Sequence, residues 1–220
     1  MIDFHCHILP GVDHGSSGLS TSLKQLEIAK KHSISAIVCT SHFYPYKESI
    51  ESFLSRRDEG YELLKEKNST DITLIKGAEV MLTMDLAELD GVEKLCIDGT
   101  NSMLVEMPDM IHSSWIYDVL LKLRDKKISP VIAHIDRYPD EVAQALLDMD
   151  FKIQANAISF VKFSKRRKML LLVENRLVHV LGSDLHGANE KAYKDFLKAK
   201  SKLGVNFEKM QNNAKKILKI

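Results

Sequence analysis

The chain has 220 residues, 45% of them hydrophobic, with 31 Lys and Arg against 30 Asp and Glu, a formal charge of +1. That is enough apolar material for one domain with a sizeable core over residues 1–220, and the even charge gives no reason to expect a nucleic acid or an anionic membrane as partner. No apolar run approaches the roughly 18 residues a membrane-spanning helix needs, so stable membrane insertion is not expected. Met1-Ile2-Asp3-Phe4-His5 lacks the basic-then-apolar pattern of a signal peptide. Cys6, Cys39 and Cys96 are sparse and odd in number, so reduced thiols and a cytoplasmic location are expected.

In chain order, strands are predicted at Ile2–Cys6, Ala36–Thr40, Ile72–Lys76, Met103–Glu106, Pro130–His134, Phe151–Gln154 and Leu177–Gly182. Most are short apolar runs, as expected of strands covered on both faces. Helical spacing separates them. Leu23, Leu26 and Ala29 form one stripe, with Ser22 and Gln25 as a weak capping box. Ile116, Val119, Leu120 and Leu123 form another. Further helices are predicted at Glu48–Lys65, Asp140–Met149, Lys165–Glu174, Glu190–Lys202 and Asn206–Leu218. Repeated β-then-α units imply a parallel sheet, and about seven of them a distorted (β/α)7 TIM-like barrel. A doubly wound open sheet is the alternative. The basic, amphipathic tail from Gln211 to Ile220 reads as a packing helix rather than a membrane anchor.

The titratable residues gather at predicted strand ends. His5 and His7 end the first strand, and His42 follows the second in Thr40-Ser41-His42. Glu79 follows the third, Glu106 closes the fourth and His134 the fifth. Asp184 and His186 follow the last, in Gly182-Ser183-Asp184-Leu185-His186. If the strands are parallel, these side chains converge at the carboxyl end of the sheet, where barrel enzymes place their sites. Imidazole and carboxylate together suit zinc, manganese or iron, and no thiolate set for a structural zinc site is present. Alternate residues of a strand point the same way, so His5 and His7 can reach one ion. Taken singly, Glu79 reads equally well as a surface carboxylate and His134 as a core histidine; the joint pattern carries the argument. His32, near a helix C-terminus, His112, in a polar loop, and His179, inside the last strand, are assigned structural roles.

The stretch Met1-Ile2-Asp3-Phe4-His5-Cys6-His7-Ile8-Leu9-Pro10-Gly11-Val12-Asp13 resembles the opening of the PHP (polymerase and histidinol phosphatase) superfamily. The branch it resembles is the bacterial CpsB/CapC-type, metal-dependent protein-tyrosine phosphatases of capsule and exopolysaccharide clusters. The likeness continues through Thr40-Ser41-His42, Gly77-Ala78-Glu79, Val105-Glu106, Pro130 to His134 with Arg137-Tyr138, and Leu177 to His186. It implies a distorted barrel of the PHP type holding two or three divalent metal ions, manganese first and zinc or iron as alternatives. By position, His5, His7, Glu79 and Asp184 match one metal site. Glu79, Glu106 and His134 match a second, and His14, His42 and His186 a third. Arg137 matches an arginine that grips the substrate phosphate; His42 and Asp184 are the other candidate catalytic residues. The implied substrate is a phosphotyrosine protein, a bacterial tyrosine kinase of capsule or exopolysaccharide biosynthesis.

Two departures from that branch stand out. Asp13-His14-Gly15 has His14 where the branch carries a second Asp, and an Arg-rich stretch after Asp184-x-His186 is missing, leaving Lys191 or Lys194 as substitutes. A cysteine mechanism is excluded directly: a phosphate-cradling Cys-x-x-x-x-x-Arg loop needs Arg where Val12, Pro45 and Ser102 stand. Two rival readings remain. One is a small-molecule phosphatase of the same superfamily, such as one acting on histidinol phosphate. The other is a non-catalytic metal-binding module that docks on a polymerase or kinase.

Overall fold

The computed structural model describes residues 1–108 and 114–220. Strands alternate with helices through the chain. They are β1 Ile2–His7, β2 Ala36–Cys39, β3 His42–Phe43, β4 Thr73–Lys76, β5 Glu79–Met81, β6 Ser102–Glu106, β7 Ser129–Ile132, β8 Lys152–Asn156, β9 Val180–Gly182 and β10 Leu185–His186. The helices are α1 Leu19–Lys31, α2 Ile50–Lys67, α3 Trp115–Asp125, α4 Asp140–Asp148, α5 Phe163–Glu174, α6 Glu190–Leu203 and α7 Val205–Leu218. All pairings between these strands are parallel, in the orders β10-β1-β2-β4 and β3-β5-β6-β7-β8-β9. The two orders are one ring. Gly77-Ala78 carries β4 straight into β5, and Ser183-Asp184 carries β9 into β10, which pairs with β1. The Asp184 N–H closes the seam on the His5 carbonyl at 2.8 Å. Seven strand positions therefore curl into the distorted barrel that the alternation predicted, and the open doubly wound sheet is ruled out.

The core has two parts. Outside the strands, Ile37, Val105, Ile132 and Leu181 pack under the helices, against Leu26, Phe53, Leu120, Leu146 and Phe196. The predicted stripe of Ile116, Val119, Leu120 and Leu123 is the buried face of α3. Inside, Phe4, Val38, Leu104, Val131 and Val180 form a separate apolar plug with Ala214 and Leu218 of α7. α7 lies across the amino ends of the strands. Gln211 bonds both the N–H and the carbonyl of Ile2, and Asn213 bonds the His179 carbonyl. The tail is thus the packing helix expected, closing the bottom of the barrel, and no helix among the described residues is long and apolar enough to cross a membrane.

Several local expectations are corrected. α1 begins at Leu19, so Ser22 and Gln25 lie within it and form no capping box. Ser22 instead bonds Ser16, and Gln25 donates to the His7 carbonyl. β7 stops at Ile132 rather than His134, because His134 adopts a left-handed backbone (φ 32). The last predicted strand begins only at Val180. His179 precedes it, with its N–H on the Ile153 carbonyl and its Nδ1 accepting from the Ile153 N–H. His32 reaches Glu190 at 3.2 Å. His112 lies outside the described residues.

Candidate metal centre

The strand ends deliver His5 and His7 from β1, His42 from β3, Glu79 from β5, Glu106 from β6 and His186 from β10. His134 and Asp184 follow β7 and β9, and both have left-handed backbones, at φ 32 and 53. Such conformations cost of the order of 1–3 kcal/mol in non-glycine residues and concentrate where a side chain must be aimed. A register shift between Asp3 and Cys6 marks a bulge in β1. It lets Phe4 join the inner apolar plug while His5, next in sequence, joins the polar mouth. Two glycines make room. A Cβ on Gly182 would stand 2.4 Å from that of His5, and one on Gly15 2.1 Å from that of His7.

The ligand atoms converge. His5 Nε2 and His7 Nε2 are 3.0 Å apart, and each lies 3.1 Å from Glu79 Oε2 and 3.5–3.6 Å from Asp184 Oδ1. His42 Nδ1 is 3.1 Å from the same Glu79 oxygen and 3.8 Å from Glu106. His134 Nε2 is 2.8 Å from the other Glu79 oxygen and 3.2 Å from Glu106. Glu79, 1% exposed, is the hub. Tautomers follow from the outer partners. His7 Nδ1–H donates to Asp13 Oδ2 at 2.8 Å and His5 Nδ1–H to Gln154 Oε1 at 3.4 Å, which leaves both Nε2 lone pairs turned toward each other. Two lone pairs at that distance need a proton or a cation between them.

This arrangement fits a group of metal ions. His42 Nδ1, Glu79 Oε2 and His186 Nε2 are buried and make no hydrogen bond. Buried acceptors left unpaired cost about 1–3 kcal/mol each, more for a charged one, and a cation satisfies them together. Three sets have their ligand atoms within 4.8 Å of one another: His5, His7 and Asp184; His42, Glu79 and Glu106; and His7, His42 and His186. Two expected members fall outside these sets: His134, which still meets Glu79 and Glu106 at 2.8 and 3.2 Å, and His14, which is exposed. Its ring stacks between His42, at 4.9 Å, and His186, at 4.7 Å. Asp13 beside it turns inward, accepting from His7, the Gly15 N–H and the His42 N–H.

Electrostatics sort the ligands. Burial opposes charge on His7, but Asp13, Asp184 and Glu79 outweigh it and hold its pKa well above the ordinary value. Burial likewise works against protonated His134, yet Glu106 and Glu79 push it up to about 9. Burial lowers His42 to about 4, so its imidazole is neutral near pH 7. Burial would raise Asp184, but His5, His7 and Arg137 keep it well below the usual carboxylate range.

Arg137 stands at the rim, 47% exposed. Nη2 donates to Asp184 Oδ2, and Nη1 lies 3.7 Å from Glu106. Asp140, three residues further on, pairs with Lys168. Beside Arg137 and Asp184 opens a cavity of about 340 Å³, lined also by Asn156, Lys162 and Lys191. Of the two substitute lysines, Lys191 reaches this cavity, while Lys194 pairs with Glu190. Lys162, Asn156 and Gln154 escaped the sequence reading. The pleat offered one signal: Gln154 and Asn156 are polar residues two apart in a strand whose intervening Ala155 is buried under the helices.

Comparisons with known proteins follow this geometry. Residues 1–219 match the family model for capsular polysaccharide synthesis, CpsB/CapC. The chain is 32% identical over 214 residues to the tyrosine-protein phosphatase CpsB of Streptococcus pneumoniae, covering 87% of this chain and 85% of that protein. It is 27% identical over 205 residues to the tyrosine-protein phosphatase YwqE of Bacillus subtilis (strain 168), covering 88% and 80%. One chain from the crystal structures of YwqE and CpsB, unique metal-dependent tyrosine phosphatases, superposes with a TM-score of 0.82 at 21% identity, covering 100% of this chain and 94% of that one. Histidinol phosphate phosphatase from Lactococcus lactis subsp. lactis Il1403, complexed with zinc, L-histidinol and phosphate, gives 0.58 at 17%, covering 92% and 93%. These structural likenesses bear out the distorted PHP-type barrel. The match along the whole sequence goes further: the chain belongs to the CpsB/CapC family of capsular polysaccharide synthesis.

Proposed function

We propose that this chain is a metal-dependent protein-tyrosine phosphatase that acts on a bacterial tyrosine kinase of capsule or exopolysaccharide biosynthesis. The observation that carries the reading is the convergence of His5, His7, His42, Glu79 and Asp184 on one buried spot with Arg137 at its rim. The relatives named tyrosine-protein phosphatases support the substrate class. The site would hold two or three divalent ions, manganese foremost. His5, His7, Glu79 and Asp184 take one, and Glu79, Glu106 and His134 a second. His42 and His186 would hold a third together with His14, whose ring stacks on both. When bound, such ions act as Lewis acids on phosphoryl oxygen and lower the pKa of water from about 15.7 toward about 7.

The chain's own groups do the rest. Arg137 grips the non-bridging phosphate oxygens, over which the charge of the transition state is spread. Asp184 holds that guanidinium in place. His42 is neutral near pH 7, which suits a ligand rather than a proton donor. The tyrosine phenolate leaves more readily than an alkoxide, so a protonated side chain is not required. The described cysteines are unpaired, which suits a reducing cytoplasm.

The test is turnover of a phosphotyrosine peptide and of histidinol phosphate, with Mn²⁺, with a chelator and after thiol alkylation. The peptide is expected to be the better substrate, chelation to abolish turnover and alkylation to spare it. Cys6 and Cys39 are fully buried, and burial pushes the Cys39 thiol up to about 12 and that of Cys96 to about 11. Activity that survives chelation refutes the metal mechanism, and a preference for histidinol phosphate moves the chain to the small-molecule reading.

A further inference from the structure

Gln154 and Asn156 form a buried amide relay between the metal centre and the phosphate-binding arginine. Both project from β8 on one side of the pleat, 0% and 3% exposed. The polarity of the relay is fixed at its start, because the His134 backbone N–H can only donate. It meets Gln154 Oε1 at 2.6 Å, so the other terminal atom of that amide is the NH2. Gln154 Nε2 then donates to Asn156 Oδ1 at 2.9 Å, and Asn156 Nδ2 donates to Asp184 Oδ2 at 3.0 Å. Oδ2 of Asp184 is the oxygen that also receives Arg137. Gln154 Oε1 accepts a second bond, from His5 Nδ1 at 3.4 Å. A Cβ on Gly182 would come within 2.7 Å of Gln154 Nε2, so the relay packs closely against the backbone of β9 and needs glycine there.

We propose that Gln154 and Asn156 are positioning residues for the metal-dependent activity. Gln154 fixes His5 with Nε2 free for an ion and pins the left-handed turn at His134. Asn156 orients Asp184 so that one oxygen faces His5 and His7 while the other holds Arg137. Neither amide can be exchanged for a carboxylate without setting two acceptors against each other: Asn156 Oδ1 in one case, Asp184 in the other. The relay therefore couples ligand geometry to the phosphate clamp. The inference rests on the metal reading of this site but not on which phosphoester is hydrolysed.

The experiment measures Mn²⁺ affinity and the visible spectrum of the Co²⁺-loaded chain, with folding checked by circular dichroism. For Gln154→Met, similar in length but without donor or acceptor, a loss of roughly 10–100-fold in metal affinity and an altered Co²⁺ spectrum are expected. Gln154→Glu keeps the acceptor for His5 and His134 but turns an oxygen toward Asn156. It should hold metal better than Gln154→Met while weakening inorganic phosphate binding as Arg137→Ala does. If Gln154→Met does not fold, the comparison of Gln154→Glu with Asn156→Ala decides. Asn156→Ala should keep the ion bound through His134 and lose phosphate affinity. Folded variants whose metal affinity stays within twofold of wild type, with an unchanged Co²⁺ spectrum and unchanged phosphate affinity, overturn the inference and leave the metal centre standing. A wild-type chain that binds no divalent ion overturns both.

Discussion

The two ends of the barrel interior are built on opposite principles. At the bottom, Phe4, Val38, Leu104, Val131 and Val180 meet Ala214 and Leu218 in an apolar plug. At the mouth, a few residues further along the same strands, buried histidines and carboxylates crowd within 3–4 Å, and three of their polar atoms lack any hydrogen bond. The bottom stabilises the fold by removing apolar surface from water, roughly 25 cal/mol per Å². The mouth opposes it, because charge is desolvated without full compensation. The scaffold thus carries a destabilised, preorganised centre on a stable base, and substitutions at the two ends should separate function from stability.

The largest effect is expected from Glu79→Gln, which removes the negative charge at the hub. Loss of about a thousandfold in kcat/KM, about 4 kcal/mol, should accompany loss of bound metal on elemental analysis. Arg137→Ala is next: full metal content, but about a hundredfold or more lost in kcat/KM, with Arg137→Lys restoring little because an ammonium lacks the planar fork.

Titration sharpens the same contrast. In the metal-free chain His134 holds its proton up to about pH 9. A metal must displace that proton and the one that His7 also retains, so affinity measured by calorimetry should rise with pH at least up to about 9. The sign for stability is opposite. His134 is raised above its ordinary value near 6.5, so its contribution to the metal-free fold is full below that value and fades as pH climbs toward 9. The smallest effect on catalysis belongs to the bottom. Leu218→Ala should cost about 2–3 kcal/mol in urea unfolding while leaving metal content and turnover unchanged.

Much of this was legible in the sequence, and the reasons for the rest are physical. The long helices and the apolar strands were placed because their periodicity extends over enough residues to be read. β3, β5 and β10, two or three residues each, carry no period and escaped notice, although they hold His42, Glu79 and His186. The fifth strand was drawn through His134 because nothing in the side chain announces a left-handed backbone. The capping box at Ser22 failed because Ser-x-x-Gln also suits the buried face of a helix already under way.

What the sequence determined by itself was the chemistry and its address. Alternating strands and helices impose a parallel barrel, a parallel barrel brings its strand ends to one face, and those ends carry imidazole and carboxylate. What only the tertiary structure decided was which atom meets which. It showed that Asp13 turns inward while His14 stays at the surface, that Arg137 leans on Asp184, and that Gln154 and Asn156 join His134 to that same carboxylate. Hydrogen bonds act over about 3 Å between residues that can stand far apart in the chain, so local pattern cannot name their partners.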